Sequence, residues 1–361
     1  MGIFSRLLEF AGIQKAEYDF IPSLEGPWAP NNMLEAATEL FIPSSSPDMV
    51  AVEGDGDLLV TAGKELYRVA AGIPSLVRAF PGTLTTVFPD SDGSLWLGCE
   101  GHGLLQVDRV GTEIQRKTEV ASVQLSCITS LVRHHDGTLL IAMGSRQNGA
   151  EDWIHDLMGR ARSGCIVALS TSGERVIATG LGWPSGLALD HQGNVCVALA
   201  WNHCLQRYGL NGRLLDRPIP NLPGYPAHVS RASDGHHWMA LFGMRTQLID
   251  FILREDEFRA DMMRNVDPRY WIRPTLLAED SYMEPLQGGS IKKLGITKAW
   301  APPRSYGLVV ELDENFLPLR SFHSRVGGRH HGITSAVRSG NQLLAVAKGP
   351  GILLSIELEG K

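Results

Sequence analysis

Cysteine is scarce in this chain of 361 residues. Cys99, Cys127, Cys165, Cys196 and Cys204 are an odd number without C-x-x-C spacing, and three of them sit inside apolar strand patterns. A disulfide framework is therefore not expected; buried free thiols in a reducing, cytoplasmic compartment are. Positive charge is not in excess either, since 33 Lys and Arg against 39 Asp and Glu leave a net charge of −6. Nothing in that balance points to a nucleic-acid partner. Neither G-x-x-x-x-G-K-[ST] nor a strand-linked G-x-G-x-x-G occurs, so nucleotide binding has no motif to rest on. Long hydrophobic runs are missing as well. The opening MGIFSRLLEFAGIQK places Ile3, Phe4, Leu7, Leu8, Phe10, Ala11 and Ile13 at helical spacing, but Arg6 and Glu9 interrupt it. The expectation is an amphipathic helix docked on the protein, with no secretory signal and no membrane span. Arg6 also stands where a myristoylation pattern needs Ser or Thr.

What the chain does have is an internal repeat. Six times an apolar strand enters a tight turn and returns: G-D-G-D before Leu58, S-D-G-S before Leu95, H-D-G-T before Leu139, H-Q-G-N before Val195, S-D-G-H before His237 and S-G-N-Q before Leu343. Antiparallel hairpins recurring at this period, each with a Gly or Asn able to take positive φ, predict an all-β, six-bladed β-propeller. With 43% hydrophobic residues the chain can bury one large core, where length alone would suggest two or three domains. Two intervals between turns are long and must hold insertions, at about 146–164 and 245–305. Trp153, Ile154, Leu157 and Met158 mark a short helix in the first; Leu248, Ile249, Ile252, Met262 and Met263 mark another in the second. A loop containing Pro268, Pro274, Pro285, Pro302 and Pro303 follows. Both insertions leave from the end of a second strand and so cover one mouth of the propeller, as a substrate lid or as plain cover for strand ends. The expected division is an N-terminal helix and ring-closing segment over 1–43 and the propeller over 44–361, with residues 33–42 supplying a strand to the last blade.

The repeat also predicts what lines that mouth. Eight positions before each turn residue stand Asp48, Thr85, Thr129, Ser185, Ala227 and Ile333; one place on are Met49, Thr86, Ser130, Gly186, His228 and Thr334. The returning strands end at Glu100, Arg146, Trp201 to His203, Arg245 and Lys348, and GGRHHG adds Arg329, His330 and His331. This reads as a basic, histidine-bearing mouth. For each rim arginine the plainer reading is a solvated charge or a salt-bridge partner. His134, His135, His236 and His237 flank the turns at the opposite end and are expected at the surface.

AWNHCLQRYGL, LPGYPAHVSRASDGHHWMAL, GWPSGLAL, GLLQVD and YGLVVELDENF resemble stretches of strictosidine-synthase-like proteins, a family related to the gluconolactonases. The resemblance covers roughly residues 44–358 and implies a six-bladed propeller with its pocket on the axis. In metal-dependent lactonase relatives the axis positions are Glu, Asn, Asn and Asp around calcium. Asp48, Thr129, Ser185 and Ala227 stand there in this chain, so the resemblance implies a degraded calcium site and no cofactor. Thr334 aligns with the glutamate on which the plant synthase depends, and neither named activity carries over.

These readings combine into an expected enzyme acting on a small anionic metabolite by lactone or ester hydrolysis, condensation or isomerisation. His228 is the acid or base, Asp48 orients it or a water, and His331 is a second candidate for proton transfer. Thr129, Ser185, Thr334, Glu100, Arg146 and Trp201 are the expected substrate contacts, with Arg245 and Lys348 holding the anion. A non-catalytic binding propeller and a calcium-dependent lactonase are the alternatives.

Overall fold

Glycine at the turns sets the hairpins. Gly56, Gly93, Gly137, Gly193 and Gly235 all have φ between 81° and 93°, a region a side chain on Cβ disfavours. The sixth hairpin is built differently. Its turn is only two residues long, with Ser339 paired to Gln342, and Gly340 rather than Asn341 takes the positive φ, at 57°. The computed structural model describes residues 20–278 and 305–358, together with the backbone of the short strands Lys292–Lys293 and Ile296–Thr297. The expected N-terminal helix lies outside the described residues, as do Pro285, Pro302 and Pro303 of the proline-rich loop.

The hairpins extend into six four-stranded antiparallel sheets arranged as the blades of a propeller. From the axis outwards, blade one runs through Pro47–Val52, Leu58–Ala62, Glu65–Ala70 and Ile73–Ala79. The inner strands of the next four blades are Leu84–Pro89, Ile128–Arg133, Pro184–Leu189 and Gly224–Arg231. Every residue of the second strands Leu58–Ala62, Leu95–Cys99, Leu139–Met143 and Val195–Leu199 is buried. Such a strand has a neighbouring blade on each face, which is why its sequence is almost continuously apolar, Thr61 excepted, instead of alternating. The outer strand Ile73–Ala79 is exposed along most of its length. Blade six takes Ile333–Ser339, Gln342–Ala347 and Ile352–Glu357 from the end of the chain and Thr38–Phe41 from its beginning. This last pairing closes the ring and leaves no inner blade edge open.

Two blades carry helices between their second and third strands. Blade three holds Trp153–Met158; blade five holds Gln247–Arg254 and Asp256–Asn265, followed by the 3-10 turn Pro268–Tyr270. Thr246 caps the first of the blade-five helices by accepting from the Ile249 N–H, which satisfies one of the helix's free donors.

The inner strands share one irregularity, and it positions the site. In blade one Pro47 pairs with Ala62 and Met49 with Thr61, so Asp48 has no partner. The same slip leaves Thr85, Thr129, Ser185 and Thr334 unpaired in blades two, three, four and six. In blade five Pro226 pairs with Leu241 and Val229 with Met239, so Ala227 and His228 together face Ala240. Each is a β-bulge, which re-aims the extra residue out of the pleat. The six bulges turn seven residues toward the axis, one from each of five blades and two from blade five.

The histidines at the far end differ from expectation. His135 is exposed, but His134 and His237 are buried, at 6% and 1% exposure. His237 stacks on Phe316 and binds the carbonyls of Asp313 and Leu189 at 3.2 Å each. A hairpin end tucked between neighbouring blades is interior, although it sits at a turn. All five cysteines are free and buried.

Candidate functional site

The bulged residues open into one axial pocket of about 110 Å³, lined by Asp48, Thr85, Thr129, Ser185, Ala227, His228 and Thr334. Lys348, Trp201 and Met49 complete the wall from the blades, while Ala150 and Trp153 of the blade-three insertion and Leu276 of the blade-five insertion close over it. Thus both insertions reach the axis. Ile333, taken from the turn count, is buried away from the pocket. Thr334 takes its place because the sixth turn is shorter.

His228 has part of its surface in this pocket, yet its Nδ1 is buried and has no hydrogen-bond partner. Burial pushes its pKa down to about 4, because the surrounding protein solvates an imidazolium poorly. The ring is neutral at pH 7. Opposite charges meet at the rim, where Lys348 Nζ lies 3.0 Å from Asp48 Oδ2.

The hydroxyl groups face sideways as well as inward. Thr129 donates to the Pro184 carbonyl at 2.5 Å, Ser185 to the Pro226 carbonyl at 2.8 Å and Thr334 to the Asp48 carbonyl at 2.5 Å. Each bond runs from one blade to the next. These side chains fasten the ring around the axis, and with their protons committed they offer a ligand only lone pairs.

The rest of the wall is aromatic. Trp183 and Trp201 have ring centroids 5.2 Å apart, and Trp153 meets Phe242 edge-on at 5.4 Å. Trp201 is fixed by its indole N–H, which donates to Asp156 Oδ1 at 2.7 Å. Asp156 belongs to the blade-three helix and also accepts from Asn148, so the insertion and the pocket wall form one hydrogen-bonded unit. Trp183 and Phe242 were not among the residues expected from the sequence. Trp183 precedes an inner strand at φ 53°, a conformation its residue type does not announce.

Several expected site residues lie elsewhere. Glu100 stands behind the wall, accepting from the Ala150 N–H at 2.6 Å; burial raises its pKa. Arg146 is exposed, and Arg329, 61% exposed, pairs with Glu39 at 3.2 Å. Arg245 is buried and bound to Asp250 at 2.8 Å, outside the axial lining. His331 is buried between the Ser305 hydroxyl, at 2.7 Å, and the Arg325 carbonyl, at 3.1 Å, and His330 binds the Leu34 carbonyl. Of the cations expected at the mouth, Lys348 alone lines the axial pocket among the described residues, and it is paired with Asp48. Strand-end position gives height along the axis but not distance from it.

No family model matches the chain. It is similar to adipocyte plasma membrane-associated protein of Danio rerio, 24% identical over 339 residues, covering 87% of this chain and 71% of the relative. It is 26% identical over 144 residues to protein strictosidine synthase-like 6 of Arabidopsis thaliana, covering 38% of each. Among solved structures, a gluconolactonase from Xanthomonas campestris superposes with a TM-score of 0.56 at 12% identity, covering 89% of this chain and 88% of that one. That likeness shows the shared propeller fold. Among the described residues, no helix is long and apolar enough to cross a membrane.

Proposed function

We propose that this propeller is a lactonase-like hydrolase of a small, uncharged lactone or ester with an apolar body, acting without a metal ion. The observation that carries this reading is His228, a neutral imidazole on the axis that presents part of its surface to a pocket walled by Trp153, Trp183, Trp201 and Phe242, and whose buried Nδ1 has no protein partner. Apolar walls with a few convergent polar groups are what small-molecule sites share. Among the described residues lining the pocket, Asp48 and Lys348 are the charged pair and offset one another, which supports a neutral ligand in place of the anion suggested by the sequence.

Water attacks the acyl carbon and loses a proton to His228, while the Lys348 ammonium faces the oxygen that gains negative charge. The acyl C–O bond then breaks, and the departing alkoxide takes the proton from His228. An imidazole with so low a pKa is a weak base but its conjugate acid is strong, so the second transfer is the favoured one.

Calcium does not suit this set of donors. It takes six to eight oxygens with substantial negative charge, whereas Asp48 is already faced by Lys348 and the hydroxyls of Thr129 and Ser185 are turned to backbone carbonyls.

One observation favours a second reading, a pocket that binds without catalysis: no carboxylate orients the His228 ring among the described residues. Hydrolysis of a panel of γ- and δ-lactones and aryl esters, followed by pH-stat, tests the proposal. Turnover of at least one class, abolished in His228→Ala at unchanged melting temperature, is expected. Tight binding of the same compounds without turnover would select the second reading.

A further inference from the structure

Trp201 is a wall between two spaces. Behind it lies a second cavity of about 60 Å³, lined by Arg160, Arg162, His203, Arg245, Asp250 and Arg254 among others. Asp250 is the one carboxylate among the described lining residues, and Arg245 engages it at 2.8 Å. Arg160 faces Asp256 at 3.5 Å, and Arg162 and Arg254 have contacts of their own. The unmatched groups are deeper.

Arg245 has a side chain only 4% exposed. Its Nη1 donates to Asn221 Oδ1 at 2.6 Å and its Nη2 to Asp250, but its Nε is buried without a partner. His203 is 6% exposed, and its Nδ1 is buried without one too. Burial, reinforced by the charges of Arg245 and Arg162, holds this histidine neutral, while a hydrogen bond with the Gly224 backbone engages the ring. A neutral ring has a single N–H. With that proton turned to the backbone, the orphaned Nδ1 is a lone pair.

A buried guanidinium N–H lacks an acceptor here and a buried imidazole nitrogen lacks a donor, each a costly omission. Sulfate and carboxylates offer acceptors only. A phosphate monoester, with its second pKa at about 6, arrives at pH 8 without a proton. Free phosphate keeps one.

We propose that this cavity is a binding site for inorganic hydrogen phosphate, with Arg245 Nε donating to a phosphate oxygen and the phosphate's own O–H donating to His203 Nδ1. The surrounding arginines supply the attraction for the anion, and the cavity is sized for a group of a few heavy atoms. Its position behind Trp201 makes it separate from the axial pocket.

Calorimetric titration of the full chain at pH 8 with inorganic phosphate, sulfate and methyl phosphate tests this. Phosphate is expected to bind saturably and at least about tenfold more tightly than either competitor, the equivalent of one hydrogen bond. Arg245→Gln should abolish the binding. Because that change also breaks a buried ion pair, two milder variants accompany it. Arg162→Gln, at an exposed position, should weaken phosphate and sulfate alike; His203→Asn, whose side chain tolerates the φ of 49° found there, should bring phosphate down to the sulfate level. No saturable heat with phosphate, equal affinity for phosphate and sulfate, or a phosphate preference that survives His203→Asn would each overturn the proposal.

Discussion

Lys348 sets its Nζ 3.0 Å from Oδ2 of Asp48, joining the sixth blade to the first across the mouth of the axial pocket. The lysine occupies the place a cation would need beside the axis carboxylate. Calorimetric titration of metal-stripped protein should therefore show no heat at micromolar calcium. Stoichiometric binding in that range would sink this idea and, with it, the metal-free reading of the pocket.

The hydroxyl fasteners make a different prediction. Thr334→Val keeps the shape but removes the bond to the Asp48 carbonyl, and should lower unfolding free energy by about 0.5–1.5 kcal/mol. Thr129→Val should do the same. Since both protons serve the backbone, ligand affinity should change less than twofold, the reverse of what a substrate-contacting hydroxyl would show. Urea melts and binding titrations on the same variants separate the two roles.

The blades and the axial residues were legible in the sequence for a single physical reason. A bulge has no composition of its own, but in five blades it lies at a fixed distance from a turn glycine, so counting back from Gly56 or Gly137 finds Asp48 or Thr129. The count slips at Ile333 because the sixth hairpin turns in two residues. The arginines were misplaced because local partners decide where a long side chain goes: Asp250, on the first turn of a blade-five helix, draws Arg245 inward, and Glu39 holds Arg329 at the ring closure. The aromatic wall was hidden for a related reason. Trp183 and Phe242 lie in neighbouring blades, and only the packing of one blade on the next brings them to the same pocket.

Ring closure gives a further test. Thr38–Phe41 adds the fourth strand to blade six, and the segment before it is tied to blade five through the Asn31 side chain and the Ser321 carbonyl at 2.7 Å. Replacing Glu39 and Leu40 with proline should strip pairing from Ile352–Glu357 and expose an apolar edge. A lower melting temperature with concentration-dependent aggregation is expected. Unchanged melting would mean that the closing strand adds nothing to the fold.

Asp156 links the insertion to the pocket, so its loss should be felt at both. Asp156→Ala removes the acceptor for the buried Trp201 indole and for Asn148, which should cost about 1–3 kcal/mol. The aromatic wall would then loosen. Ligand affinity in the axial pocket should fall several-fold, and Asp156→Asn, which keeps an acceptor oxygen, should restore part of it. Equal affinity in all three proteins would mean that the wall is held by packing alone.

The last prediction concerns acid. His228 and His323 both have their pKa pushed down to about 4 by burial, from an ordinary 6.5, and His203 is held well below its usual range by burial and by Arg245. All three are neutral in the folded protein. In the unfolded chain they take up protons as pH falls through about 6.5, so the unfolded state binds more protons and stability must drop with falling pH. The stability at issue is whole above pH 6.5 and is progressively lost toward pH 4. Fully buried His323, hydrogen-bonded to Tyr306 and Ser321, should alone account for about 3 kcal/mol over that window. Denaturant melts at intervals from pH 8 to pH 4 should show a flat upper limb and a fall that begins near 6.5, and His323→Gln should make the fall shallower. A profile flat down to pH 5 would mean that these rings stay accessible to protons in the folded state, and the neutral His228 on which the hydrolytic reading depends would fall with it.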